Sequence, residues 1–130
     1  MVVDTSALVA VLLSEPDARR IERAIRRAEV VRLSAVSLVE ATMVLLPRLG
    51  AEGVRRLDAF VDQIGMDVVP VTRITALFAR GAFRRFGKGR HPAALNFGDC
   101  FSYALAVERD EPLLFVGDDF AQTDVKAADY

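Results

Sequence analysis

The sequence predicts an α/β fold with a parallel sheet. Short apolar runs alternate with helical patterns from end to end, and that alternation implies parallel strands joined by helical crossovers. The 130 residues are the size of one domain, so residues 1–130 are expected to share a single core. A composition of 52% hydrophobic and 27% charged residues can bury enough apolar surface to offset chain ordering.

Met1-Val2-Val3 starts a strand that stops at Asp4, and Thr5 to Ser14 carries a mostly apolar helix. Glu15-Pro16-Asp17 restarts the chain as a second helix, with Pro in its first turn and Ile21 and Ile25 facing inward among Arg and Glu. Val30 to Leu33 reads as a strand. A helix then opens at Ser37 and runs toward Pro47-Arg48-Leu49-Gly50. That helix is apolar on nearly every side, so one face is expected to meet the core and another a partner. Ala51 to Ile64 is a further amphipathic helix. Asp67 to Val71 is a strand whose Pro70 places it at an edge or a strand end. Thr72 to Phe86 is helical, Gly87 to Gly98 is one long loop, and Asp99 to Arg109 is a helix burying Phe101, Tyr103, Ala104 and Leu105. Pro112 to Val116 is the last strand, followed by Gly117-Asp118-Asp119-Phe120.

Seventeen basic and eighteen acidic residues leave a net charge of -1, which excludes a global positive field for nucleic acid or membrane. A polyanion must be held by a local patch. The single cysteine, Cys100, excludes an intrachain disulfide framework and a Cys-based zinc site, and fits a reducing compartment. The longest early apolar run, Ala7 to Leu13, is far below the ~18 residues that span a bilayer, so a cytoplasmic protein without membrane contact is expected.

Ligands of open parallel sheets collect beyond the carboxyl ends of the strands, and Asp4 and Asp118-Asp119 each follow a strand. Asp99 and Glu40 stand in the first turns of helices, where the dipole favours a carboxylate. Each has a structural reading: Asp4 and Asp99 as N-caps, Glu40 completing a capping box with Ser37, Asp118-Asp119 as turn residues. Converged, they would repel one another unless a cation neutralised them, and an all-oxygen donor set selects Mg²⁺ or Mn²⁺ over zinc. Such an ion supports phosphodiester or phosphomonoester hydrolysis. Arg84, Arg85, Lys88 and Arg90, just before Asp99, are candidates to hold a nucleic-acid backbone, or form a solvated helix end. Thr5 and Ser6 either hydrogen-bond a ligand carboxylate or the scissile phosphate, or cap the first helix. Gly87-Lys88-Gly89 lacks the full phosphate-loop pattern, and His91 reads as a surface loop residue.

Met1-Val2-Val3-Asp4-Thr5-Ser6-Ala7, Ser37-x-x-Glu40, Asn96-Phe97-Gly98-Asp99-Cys100-Phe101-Ser102-Tyr103-Ala104 and Leu113-Leu114-Phe115-Val116-Gly117-Asp118-Asp119-Phe120 with Thr123-Asp124-Val125 follow in that order. Together they resemble a VapC-type PIN-domain ribonuclease toxin over the whole chain. The resemblance implies a three-layer α/β/α sandwich around a central parallel sheet. It also implies a homodimer, and Mg²⁺- or Mn²⁺-dependent cleavage of RNA, with tRNA or rRNA the expected substrates and translation inhibited. A cognate VapB-type antitoxin would restrain the enzyme in a heterotetramer or larger complex. By position, Asp4 and Asp99 correspond to metal ligands, Glu40 to the third acidic residue, and Asp119 or Asp118 to the fourth. Gly117-Asp118 departs from the Ser, Thr or Asn that many PIN domains carry there, which leaves Asp118 as a substitute ligand. The antitoxin is expected to lay an amphipathic helix beside the helix from Ser37, near Val44 and Leu45, with a basic residue reaching the acidic cluster. The alternative is a catalytically inactive PIN-like module that only binds metal or antitoxin.

Overall fold

The computed structural model describes residues 1–130. Its elements run β1 (Val2–Val3), α1 (Thr5–Leu12), α2 (Ala18–Arg27), β2 (Arg32–Ser34), α3 (Ala35–Ile64), β3 (Asp67–Val69), α4 (Arg73–Phe86), α5 (Phe97–Arg109) and β4 (Leu113–Leu114), with a 3₁₀ turn at Phe120–Gln122. All pairings are parallel, in the order β3-β2-β1-β4. The alternation of strands and helices therefore delivers the α/β/α sandwich that was expected.

Side chains alternate across a strand, and β1 and β4 use that alternation to seed two cores. Val3, Leu33 and Leu114 face α1, α2 and α3, joining Leu8, Ile21, Ile25, Leu45 and Leu57. Val2, Val69 and Leu113 face α4 and α5, joining Ala79, Leu95, Tyr103 and Leu105. The strands are only two or three residues long, yet Val2, Val3, Leu113 and Leu114 are wholly buried, as a sheet covered on both faces requires. Pro70 lies just past β3, an edge strand, as its missing N–H demands. No helix is long and apolar enough to cross a membrane.

Several boundaries move. The helix expected from Ser37 starts at Ala35, because Ser34 ends β2 in an extended conformation and its hydroxyl caps Val36 N at 3.2 Å. Ser37 is thus inside the helix and fully buried, and the Ser37–Glu40 capping box does not form. Gly50 (φ 62°, ψ -157°) breaks α3 where Pro47-Gly50 predicted a stop. Leu45 belongs to the core, not to a partner surface; the exposed apolar side chains of α3 are Val39, Met43 and Leu46. The long loop ends earlier than expected, at Asn96. Backbone bonds from Lys88 to Leu95 (2.9 Å) and from Leu95 to Phe86 (2.9 Å) close it tightly.

Candidate active site

Asp4 stands where β1 ends, and its extended backbone lets its carboxylate cap α1. Oδ2 accepts from Ser6 N at 2.9 Å and from Ser6 Oγ at 2.7 Å. The Ser6 hydroxyl in turn accepts from Val116 N at 3.0 Å, so the chain following β4 fixes the Asp4 carboxylate through Ser6. The other oxygen, Oδ1, is buried without a partner, although Asp4 is only 2% exposed. An unpaired buried carboxylate oxygen costs free energy unless a cation or water satisfies it. The capping reading of Asp4 and the ligand reading are therefore compatible: one oxygen caps, the other is left over.

Thr5 Oγ1 donates to Glu40 Oε2 at 2.7 Å, which joins α1 to α3 and orients the Glu40 carboxylate. Gly98 packs directly on that carboxylate: a Cβ there would lie 2.1 Å from Glu40 Oε2. Ser37 and Ser102, both fully buried, pair hydroxyl to hydroxyl at 3.0 Å and tie α3 to α5. Thr5 and Ser6 thus hold acidic side chains, and the cap of the first helix is Asp4 itself.

Asp99 is not the N-cap of α5. Asn96 is, with Asp99 in the third position of a reciprocal capping box: Asp99 N donates to Asn96 Oδ1 at 3.0 Å and Asn96 N to Asp99 Oδ2 at 2.7 Å. Burial pushes the Asp99 carboxyl up to about 6 against the lowering effect of that Asn96 bond, and the negative charges of Asp4, Glu40 and Asp119 push it the same way. The four acidic positions read from the sequence therefore share one electrostatic field. Of the exposed Asp118–Asp119 pair, Asp119 adds its charge to those acting on Asp99.

These residues fit a hard divalent cation. Every donor is a carboxylate oxygen, Asp4 Oδ1 lacks a partner, and Asp99 carries a repulsion that a cation would relieve. No three acidic, His or Cys side chains close on a common point.

The basic residues divide. Arg85 is already paired with Asp124 at 2.7 Å, and Asp124 also accepts from Tyr103 Oη at 2.5 Å, so Arg85 fastens α4 to the C-terminal segment. Arg84, Lys88 and Arg90 are exposed and make no ion pair. Arg80, which the sequence reading passed over, lies one helical turn before Arg84 and beside it on a pocket wall. His91 holds the loop, its Nδ1 accepting from Ala93 N at 3.1 Å. Gly98 and the Ser37–Ser102 pair were also missed; the only sequence signal for Gly98 is a small residue directly before a candidate ligand.

A model of the PIN domain matches residues 1–126. "VapC ribonuclease Mb0640" of Mycobacterium bovis is 48% identical over 125 residues, 96% of this chain and 95% of the relative. The chain belongs to the VapC group of PIN domains. "Ribonuclease VapC" of Mycolicibacterium smegmatis is 49% identical over 127 residues, 98% of each chain. The PIN fold extends to more distant structures. VapC20 of Mycobacterium tuberculosis, described as a sarcin-ricin loop cleaving toxin, superposes with a TM-score of 0.80 at 19% identity, covering 98% of this chain and 97% of that one. A VapBC2 complex from Rickettsia felis, bound to a fragment of its promoter, gives 0.77 at 10% identity, covering 99% and 97%.

Proposed function

We propose that this PIN domain is a Mg²⁺- or Mn²⁺-dependent endoribonuclease, the toxin of a VapBC-type pair. The observation that carries the reading is the shared field of Asp4, Glu40, Asp99 and Asp119 around a buried carboxylate oxygen with no partner. The names of its relatives support RNA as substrate.

Asp4 and Asp99 would hold the ion, with Glu40 and Asp119 contributing through water and Asp118 left outside the set. Once bound, the ion neutralises charge developing on a phosphodiester and acidifies water beside it. The chain's own residues do the rest. Ser6 fixes Asp4, the capping box fixes Asp99, and Thr5 with Gly98 fixes Glu40, which orients and deprotonates the attacking water. Arg84, Lys88 and Arg90 position the RNA backbone. In-line attack at phosphorus with departure of the 3′ oxygen leaves 5′-phosphate and 3′-hydroxyl ends. With a net charge of -1, affinity comes from a few placed contacts, which favours a shaped tRNA or rRNA over any strand and makes loss of translation the outcome. A VapB-type antitoxin in a heterotetramer or larger assembly, a homodimeric toxin and a cytoplasmic setting complete the reading.

The test is cleavage of purified total tRNA and rRNA by the chain freed of any partner. It is run with Mg²⁺ or Mn²⁺, with chelator, and with Asp99→Asn. Discrete products that vanish in the chelator and Asp99→Asn lanes are expected. Intact RNA in every lane, with divalent-cation binding retained, would return the chain to the inactive binding-module reading.

A further inference from the structure

Phe97 is the most exposed large apolar side chain of the molecule, at 73%, and it lies two residues before Asp99. As the first residue of α5 it lies on the face turned toward α4, and its ring meets Phe101 edge to face at 4.9 Å between centroids. The two rings, with Ala79, Phe83 and Cys100, form the floor and walls of an open pocket of about 550 Å³ between α4 and the start of α5. That volume lies within the range of small-ligand sites. Arg80 and Arg84, one helical turn apart on α4, complete its lining. Neither guanidinium has an acidic partner, so both are free to meet an anion. The pocket thus joins an apolar aromatic surface to two uncommitted cations, and two of its residues, Phe97 and Cys100, flank Asp99 in sequence.

We propose that this pocket binds an unpaired base of the RNA substrate: the base stacks on Phe97, and Arg80 and Arg84 hold the phosphates that flank it. The inference rests on the ribonuclease reading and adds a subsite to it. The charge pattern selects the occupant. A purely apolar partner would leave two guanidinia beside it without anions, while a nucleotide brings one aromatic face and a phosphate on either side. A base splayed into the pocket must leave its stack, so the subsite selects a loop or single strand over a continuous duplex.

The experiment measures binding and turnover separately. A fluorescein-labelled, 12-nucleotide single-stranded RNA is titrated with the full chain in chelator, and cleavage of the same RNA is followed in Mg²⁺. Phe97→Ala is expected to weaken binding on the order of tenfold, the range for losing one stacked base. Phe97→Trp should retain affinity, and Phe97→Leu, apolar but unable to stack, should behave like Phe97→Ala. Arg80→Gln with Arg84→Gln should weaken binding further and flatten its salt dependence. Unchanged affinity and KM in Phe97→Ala, with wild-type RNA still cleaved, would overturn the subsite and leave the ribonuclease standing. Equal affinity in Phe97→Leu and wild type would overturn the stacking. A fall in mass from dimer to monomer in Phe97→Ala, with affinity per chain unchanged, would make the patch a contact between copies and overturn the proposal. Absence of binding by the wild-type chain would overturn the subsite, while the ribonuclease reading is decided separately by cleavage of total tRNA and rRNA.

Discussion

At the scale of single residues, Asp99 concentrates the conflict between stability and function. Its carboxyl rises from 3.8 to about 6 through burial and through Asp4, Glu40 and Asp119. The folded chain therefore binds this proton more tightly than the unfolded chain, so the contribution of Asp99 to stability is largest below pH ~4. It is lost as pH rises to about 6, and a shift of this size corresponds to about 3 kcal/mol at most. Asp99→Asn removes the titration but weakens the bond from Asn96 N. Metal-free Asp99→Asn should thus be more stable than wild type by about 1–2 kcal/mol at pH 7.5. The advantage should vanish at pH 4. Urea unfolding in chelator at the two pH values checks this, and a difference independent of pH would remove Asp99 from the shared field. Divalent cation should stabilise wild type more than Asp99→Asn, because ligand binding to the folded state adds to its stability by mass action.

The elements determine where these residues arrive, and there the sequence is only partly legible. Asp4 was readable because a strand end, a cap and the start of an apolar helix are local signals. The start of α3 was not: Ser34 and Ser37 are both plausible caps, and what decides between them is the length of β2, set by its pairing with β1 and β3. Asp99 was read as a cap because Asn96, three residues earlier, was counted in the loop. Arg80 and Phe97 were invisible because their meaning arises only where α4 packs on α5. Gly98 belongs to the same class, and it yields a prediction. A Cβ at position 98 would displace the end of a flexible side chain, the Glu40 carboxylate, rather than backbone. Gly98→Ala should therefore cost about 1 kcal/mol, roughly the lost Thr5–Glu40 bond. Cleavage should fall at least about tenfold, the lower end of what a misplaced catalytic base loses. Thermal unfolding and initial rates measured on one preparation separate the two effects. Loss of both in proportion would make Gly98 a packing residue only.

Across the whole molecule, the three-layer arrangement presents two separate apolar surfaces. Val39, Met43 and Leu46 are exposed on α3, in one outer layer. Ile74, Leu77 and Phe78 are exposed on α4, in the other, and line a second concavity with Tyr103 and Val107. The α4 residues of that concavity differ from those that line the Arg80–Arg84 pocket. Exposed apolar patches of this kind mark protein contacts, and the proposed function requires two: an antitoxin and a second copy of the chain. The antitoxin was expected beside the first half of α3, so the α4 face falls to the second copy. Because both sets of side chains are exposed, lysines there should leave the thermal midpoint nearly unchanged. Val39→Lys with Met43→Lys should abolish co-purification with the antitoxin while the free toxin keeps its dimer mass. Leu77→Lys with Phe78→Lys should halve that mass while antitoxin binding survives. Light scattering of the free and complexed proteins distinguishes these outcomes. Loss of dimer from the α3 variant, or of antitoxin from the α4 variant, would exchange the two assignments, and loss of both from either would mean that one partner is bound only through the other.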